Sequence, residues 1–213
     1  MCLYHPDRVL AVCSICTPYL PPTPQLVDID AFVAAAPQFA YMKLLSQTET
    51  TAPLFDQAPR RLFTVMFKHH YELENMFVVD VFKNVVNSDS PLYTVRSDLL
   101  TEEELDYYED EYRRSGFQAS LNWYATIPID FETERGLPTS IKHNALYIGA
   151  RDDAVLKPEM AAHMPQFISS LEMAIINDSG HWVLWEQRDQ VTEKLVEWLG
   201  KLENAVYLSS SEL

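Results

Sequence analysis

The sequence predicts an α/β fold: a parallel sheet with flanking helices and one long helical insertion. Three observations predict it. Apolar runs at residues 9–15, 145–150 and 171–176 have the length and near-continuous apolar character of strands in a parallel sheet. A long, mostly helical stretch separates the first run from the second, and a short helical pattern separates the second from the third. An amphipathic segment at 190–202 closes the order strand–insert–strand–helix–strand–helix.

The elements follow in order. Residues 1–7 are expected to close a helix, stopped at His5-Pro6. Residues 9–15 form a strand expected to be buried on both faces. Thr17-Pro18-Tyr19-Leu20-Pro21-Pro22-Thr23-Pro24 then ends regular structure. In the insert the clearest helices are 28–36, 60–70 and 101–115. Thr101-Glu102-Glu103-Glu104 is a capping box, in which hydroxyl and carboxylate each satisfy a free amide at the helix start. Ser115-Gly116 is a stop. The acidic run at 102–111 is expected to be a solvated helix face. Residues 158–167 are expected to form a short helix. The parts are 1–22 with 140–205 for the sheet region, 23–139 for the insert, and 206–213 for a tail.

Composition excludes several functions. With 213 residues, 47% apolar and 12% aromatic, the chain has material for a folded core. The formal charge of −15 and the lack of a basic stripe argue against nucleic acid and anionic membrane surfaces as partners. There is no apolar run long enough for a membrane span and no secretory pattern, so the expectation is a soluble, cytoplasmic protein. Cysteines at 2, 13 and 16 do not make a disulfide scaffold. Cys13-Ser14-Ile15-Cys16 ends an apolar run instead of opening a helix, and zinc would need two further ligands not evident nearby. Both are expected to be buried strand cysteines. His69-His70 and His143 lack partners at metal-like spacing, so neither metal nor cofactor is expected.

The chemistry concentrates on two loops. Asn177-Asp178-Ser179-Gly180-His181-Trp182 follows the third strand, and Arg151-Asp152-Asp153 follows the second. In a parallel sheet both loops leave the same edge, where open α/β sheets hold their ligands. An acid and then a histidine 28 residues on, one βαβ unit apart, can hold and tune an imidazole for proton transfer. A surface-loop histidine capped by a carbonyl is the alternative.

At this point the residues resemble a known family, the soluble epoxide hydrolases of the α/β-hydrolase fold, in their C-terminal portion. The likeness rests on His5-Pro6-Asp7-Arg8-Val9 with Thr17-Pro18-Tyr19, on Pro37-Gln38-Phe39-Ala40-Tyr41 and on Ser115-Gly116-Phe117 through Asn122-Trp123-Tyr124. It rests also on Gly149-Ala150-Arg151-Asp152-Asp153 through Lys157-Pro158 and on Ser179-Gly180-His181-Trp182. The resemblance covers residues 1 to about 200 and makes the insert a helical cap. It implies that Tyr41 and Tyr124 donate hydrogen bonds to the epoxide oxygen, that His181 activates water, and that Asp153 orients His181. Asp153 is chosen over Asp152 because the family's acid lies three residues before the leucine represented by Leu156. Phe39, Leu44 and Trp123 are expected to line an apolar pocket for a small lipophilic epoxide. Ordinary core packing is the alternative for each aromatic, and Trp182, Trp185 and Trp198 are read as packing residues.

Two departures are visible. Cys16 stands where the family commonly has Asn, and Ala125 where it often has Arg. The family's nucleophilic Asp and His-Gly-x-Pro loop have no counterpart in these residues, so the chain read alone is expected to be truncated, inactive and poorly soluble or molten. The alternatives are another capped hydrolase such as a haloalkane dehalogenase, against which the tyrosine pair argues, or a non-catalytic binding or dimerisation fragment. No oligomeric state is legible.

Overall fold

The computed structural model describes residues 1–73 and 76–211. The backbone falls into two compact units, one made of residues up to Pro21 with those from Pro138 onward, the other of Pro22–Leu137.

In the first unit a three-stranded parallel sheet has the order β1 (Ala11–Ile15), β2 (Asn144–Ala150), β3 (Leu171–Ile176). The register sets Ile15 beside Ile148 and Ala150 beside Ile176, so all three strands run out at one edge. Strand alternation sends Leu146, Ile148 and Ala150 to one face and Ala145 and Tyr147 to the other. The first set packs with Ile176, Val183, Val191 and Trp198, the last two on the terminal helix. The second packs with Ile141, Ala161, Met164 and Ile168. Cover on both faces is why β2 reads as an uninterrupted apolar run.

Gly149 is required in that run. A Cβ there would lie 2.9 Å from the Tyr147 ring, its hydroxyl and Ile175 Cδ1. The missing side chain lets the fully buried Tyr147 ring lie along the strand, and its hydroxyl donates to the Cys16 carbonyl at 3.2 Å.

β1 corrects one expectation. It starts at Ala11 and is half-buried throughout, while Leu10 is 95% exposed. Apolar content alone does not bury a strand; among the described residues β1 pairs only with β2. Residues 1–5 make a single helical turn, closed by the His5 amide on the Met1 carbonyl at 2.8 Å, and Pro6–Arg8 follow as a 3-10 turn. The helix expected at 158–167 is a 3-10 run, Pro158–Gln166. Pro165 inside it has no amide to donate, which disfavours an α-helical ladder. The terminal segment is also longer than expected. A short helix, Val183–Glu186, leads into one at Arg188–Ser211, so 206–211 continue the helix and are not a separate tail. Once nucleated, a helix gains a hydrogen bond for each residue added. Residues 212–213 lie outside the described residues. No helix among the described residues is long and apolar enough to cross a membrane.

The second unit is helical: α1 (Ile29–Ala35), α2 (Ala40–Ser46), α3 (Thr48–Asp56), α4 (Pro59–Met66), α5 (Val78–Lys83), α6 (Glu102–Ser115), α7 (Gln118–Ala125) and α8 (Ile127–Glu134). With these numbered, Val183–Glu186 is α9 and Arg188–Ser211 is α10. Asp28 caps α1 by accepting from the Asp30 and Ala31 amides. The Thr101–Glu104 capping box forms at α6, and Gly116 stops that helix in a conformation with φ +67°. The acidic face of α6 is more than solvated. Glu102, Asp106 and Glu109 recur at helical spacing and all pair with Arg60 of α4. A run of rings holds the unit together: Phe55 packs against Phe82 and Phe117, and Phe117 against Phe63.

Candidate active site

The site in the first unit is assembled from three strand ends. Beyond β2 the chain turns so that Asp153 is buried, at 3% exposure. Its Oδ1 accepts from the Val155 and Leu156 amides, both at 2.9 Å, which fixes the carboxylate plane. Its Oδ2 lies 2.8 Å from His181 Nδ1. The histidine side chain is 48% exposed, so the ring has one nitrogen held by a buried acid and Nε2 at the opposite end. This is the arrangement that sets a tautomer: Nδ1 carries the proton, and Nε2 is left to accept one.

Burial by itself would raise the Asp153 carboxyl. The hydrogen bond and charge of His181, with the Leu156 and Val155 amides, outweigh it and hold the group below the ordinary carboxylate range. A depressed native pKa stabilises the fold above the unfolded value, near 3.9, and that contribution is lost as pH falls through the lower native value. The stability advantage of the native chain over Asp153→Asn, measured as a urea midpoint, is therefore expected to be complete near neutral pH and to shrink below about pH 4. An advantage unchanged into strong acid would contradict a charged Asp153 in the native state.

Further contacts tie the two loops together. The Arg151 amide donates to the Ile176 carbonyl at 2.8 Å and the Asp152 amide to the Ser179 carbonyl at 2.9 Å. The side chain of Asp152 is exposed, so its backbone holds the loop while Asp153 faces the ring. Glu186 of α9 accepts from the Gly180 amide at 3.1 Å, and Gln187 donates to the Asp178 carbonyl at 3.0 Å. Glu186 therefore anchors the histidine loop, a role the sequence motif did not assign. Trp182 meets the His181 ring edge-on at 5.4 Å and Trp185 at 5.5 Å.

Cys16 is the residue that sequence reasoning missed. It follows β1 with φ +58° and is 2% exposed, and its sulfur donates to the His181 carbonyl at 3.6 Å. Cys16 Sγ, an Asp153 oxygen and a His181 nitrogen lie within 4.8 Å of one another. Burial first, and the Asp153 charge second, push its thiol up to about 12, so it stands beside the pair as a neutral thiol. The left-handed backbone suits Asn, the residue common here in the resembling family, better than other side chains, but nothing local in the sequence places Cys16 beside the pair. Cys13, three residues back in the strand, is half-buried.

Of the other predicted residues, the second unit brings Tyr41 and Tyr124 together. Their rings, on α2 and α7, meet edge-on with centroids 6.1 Å apart. Both are half-buried, and burial raises the Tyr124 hydroxyl above its usual value. Phe39 is 5% exposed and lies against Phe32 and Tyr41, so it packs within the unit. Leu44 is half-buried one turn beyond Tyr41, while Trp123 is 80% exposed. His69 lies 2.6 Å from Asp98, and His143 Nε2 donates to the Pro6 carbonyl at 2.8 Å.

Known proteins share the fold. A family model described as alpha/beta hydrolase fold matches residues 1–187. Bifunctional epoxide hydrolase 2 of Rattus norvegicus is 30% identical over 204 residues, which cover 93% of this chain and 36% of the rat protein. An epoxide hydrolase from an endophytic Streptomyces superposes with a TM-score of 0.77 at 24% identity, over 95% of this chain and 64% of that one. Epoxide hydrolase A of Mycobacterium thermoresistibile gives 0.75 at 24% identity, over 92% and 63%. The chain thus spans about a third of the mammalian relative and under two thirds of the solved structures. With the family model matched over most of the chain's length, the chain belongs to the α/β-hydrolase-fold family and within it resembles the epoxide hydrolases.

Proposed function

We propose that these 213 residues supply the cap and the acid–base half of an epoxide hydrolase, which converts a small lipophilic epoxide to a vicinal diol through an alkyl-enzyme ester. In that reaction a carboxylate opens the ring while Tyr41 and Tyr124 donate hydrogen bonds to the departing oxygen. His181 Nε2 then takes a proton from the water that attacks the ester, and Asp153 stabilises the imidazolium through Nδ1. The tetrahedral intermediate expels the diol oxygen, which takes the proton from the His181 imidazolium, and the enzyme acid then loses its own proton to regenerate the carboxylate.

The observation that carries this reading is the Tyr41–Tyr124 pair, with rings 6.1 Å apart. An Asp–His pair serves many hydrolases, whereas two adjacent phenols suit an alkoxide leaving group. The position of the nucleophile in the family's motif order has no counterpart among these residues. Epoxide opening is therefore ascribed to this chain only in company with a nucleophile-bearing half.

The test compares the chain alone with the chain joined behind the N-terminal half of a homologous epoxide hydrolase, using styrene oxide and detecting the diol. The chain alone is expected to give none. The joined protein is expected to turn over, with a loss on Tyr124→Phe and abolition on His181→Ala. Diol formation at an unchanged rate in the His181→Ala protein would sink the reading.

A further inference from the structure

Cys16, Asp153 and His181 each leave the carboxyl end of a different strand, β1, β2 and β3, and the parallel register gathers them at one edge. Their ligating atoms, Sγ, a carboxylate oxygen and a ring nitrogen, lie within 4.8 Å of one another. Zinc bonds of about 2.0–2.3 Å in a tetrahedron bring ligand atoms to roughly 3.3–3.7 Å apart. The Asp153–His181 contact, at 2.8 Å, must open by part of an ångström to reach that spacing, and any wider pair must close.

Two of the ligands are held in advance. Asp153 is fixed through its second oxygen by two amides, and the Cys16 backbone by its amide on the Ile148 carbonyl at 2.8 Å and its carbonyl under Tyr147. His181 is the half-exposed side by which an ion can come in. Binding releases the Cys16 thiol proton to solvent; the resulting thiolate, with carboxylate and imidazole, suits a borderline-soft cation, and three protein ligands leave a fourth position for water.

We propose that Cys16, Asp153 and His181 form a binding site for a zinc-like divalent cation. The site stands on geometry; its consequence for turnover rests on the acid–base reading above. An ion on Nε2 blocks the base directly. An ion on Nδ1 displaces Asp153 from the ring and leaves the imidazole proton on Nε2. Either way zinc inhibits ester hydrolysis. Cys16 is decisive, because the asparagine common at this position in the resembling family offers no thiolate.

Cobalt(II), which reports thiolate ligation by a charge-transfer band and tetrahedral geometry by visible bands, is the probe. The chain joined behind a nucleophile-bearing half, with every cysteine but Cys16 changed to Ser, is titrated with cobalt alone. One equivalent is expected to give both bands, which zinc displaces and magnesium does not. His181→Ala, at a half-exposed position, is expected to lose the tetrahedral bands, and restoring His181 recovers them. Cys16→Asn, suited to the left-handed backbone, is expected to lose the charge-transfer band. A thiolate band unchanged by His181→Ala, or one that persists in urea, marks a thiol binding cobalt by itself and overturns the site, as does the absence of any band. Binding is read without turnover. A chain that takes cobalt but, joined to a nucleophile half, forms no diol keeps the site and loses the hydrolase reading.

Discussion

Asp153→Asn in the joined enzyme is expected to lower turnover by about 10⁴-fold, the scale seen when a triad acid is made neutral. The reason lies in how Asp153 is held. Oδ1 accepts two amides, from Val155 and Leu156, and Oδ2 faces Nδ1 of His181. An asparagine must keep its oxygen toward the amides, because its NH₂ cannot accept from them. The NH₂ then points at the imidazole and donates to Nδ1, which moves the ring proton to Nε2. A protonated Nε2 cannot take a proton from water. Ring opening does not need that step, so the alkyl-enzyme ester is expected to accumulate and to appear as one substrate mass added to the intact protein. A loss under tenfold, or a large loss with no trapped ester, would remove Asp153 from the role assigned to it.

The second large effect concerns stability. Gly149→Ala is expected to destabilise the joined enzyme by about 1–3 kcal/mol, the range for overpacking a tight core. The new methyl would meet the Tyr147 ring, its hydroxyl and Ile175 Cδ1, all at 2.9 Å. Tyr147 is fully buried and cannot swing away without breaking its hydrogen bond to the Cys16 carbonyl. Tyr147→Phe by itself is expected to cost about 1 kcal/mol by leaving that carbonyl unpaired. The two changes share one contact, so the double variant should be more stable than their sum predicts, by about 0.5 kcal/mol or more. Urea midpoints of the four proteins measure this. Strict additivity would show that the hydroxyl is not what Gly149 makes room for.

How much of this was legible depends on the range of the interaction. The capping box at Thr101 and Glu104 was readable because its partners are three residues apart. β2 was readable because burial on both faces leaves an uninterrupted apolar run. Residue 10 was misread because a leucine looks the same in a buried strand and on an exposed approach to one. At 158–167 a short helix was legible but not its type, because the apolar spacing serves either, and the 3-10 form at Pro158–Gln166 has Pro165 as its local cause.

The sequence by itself determined the order of elements, the helix ends that close with local caps, and the acid and histidine loops, because periodicity and turn chemistry act over a few residues. It also carried the likeness to the α/β-hydrolase fold, which a family model matches over residues 1–187. Only the tertiary structure decided that Cys16 belongs beside Asp153 and His181, though its thiol donates to a carbonyl 165 residues away. The same holds for Glu186 anchoring Gly180 and for Tyr147 needing Gly149. These contacts follow from the parallel register of three strands and the packing on both faces of β2, and no local pattern along the chain encodes such a meeting.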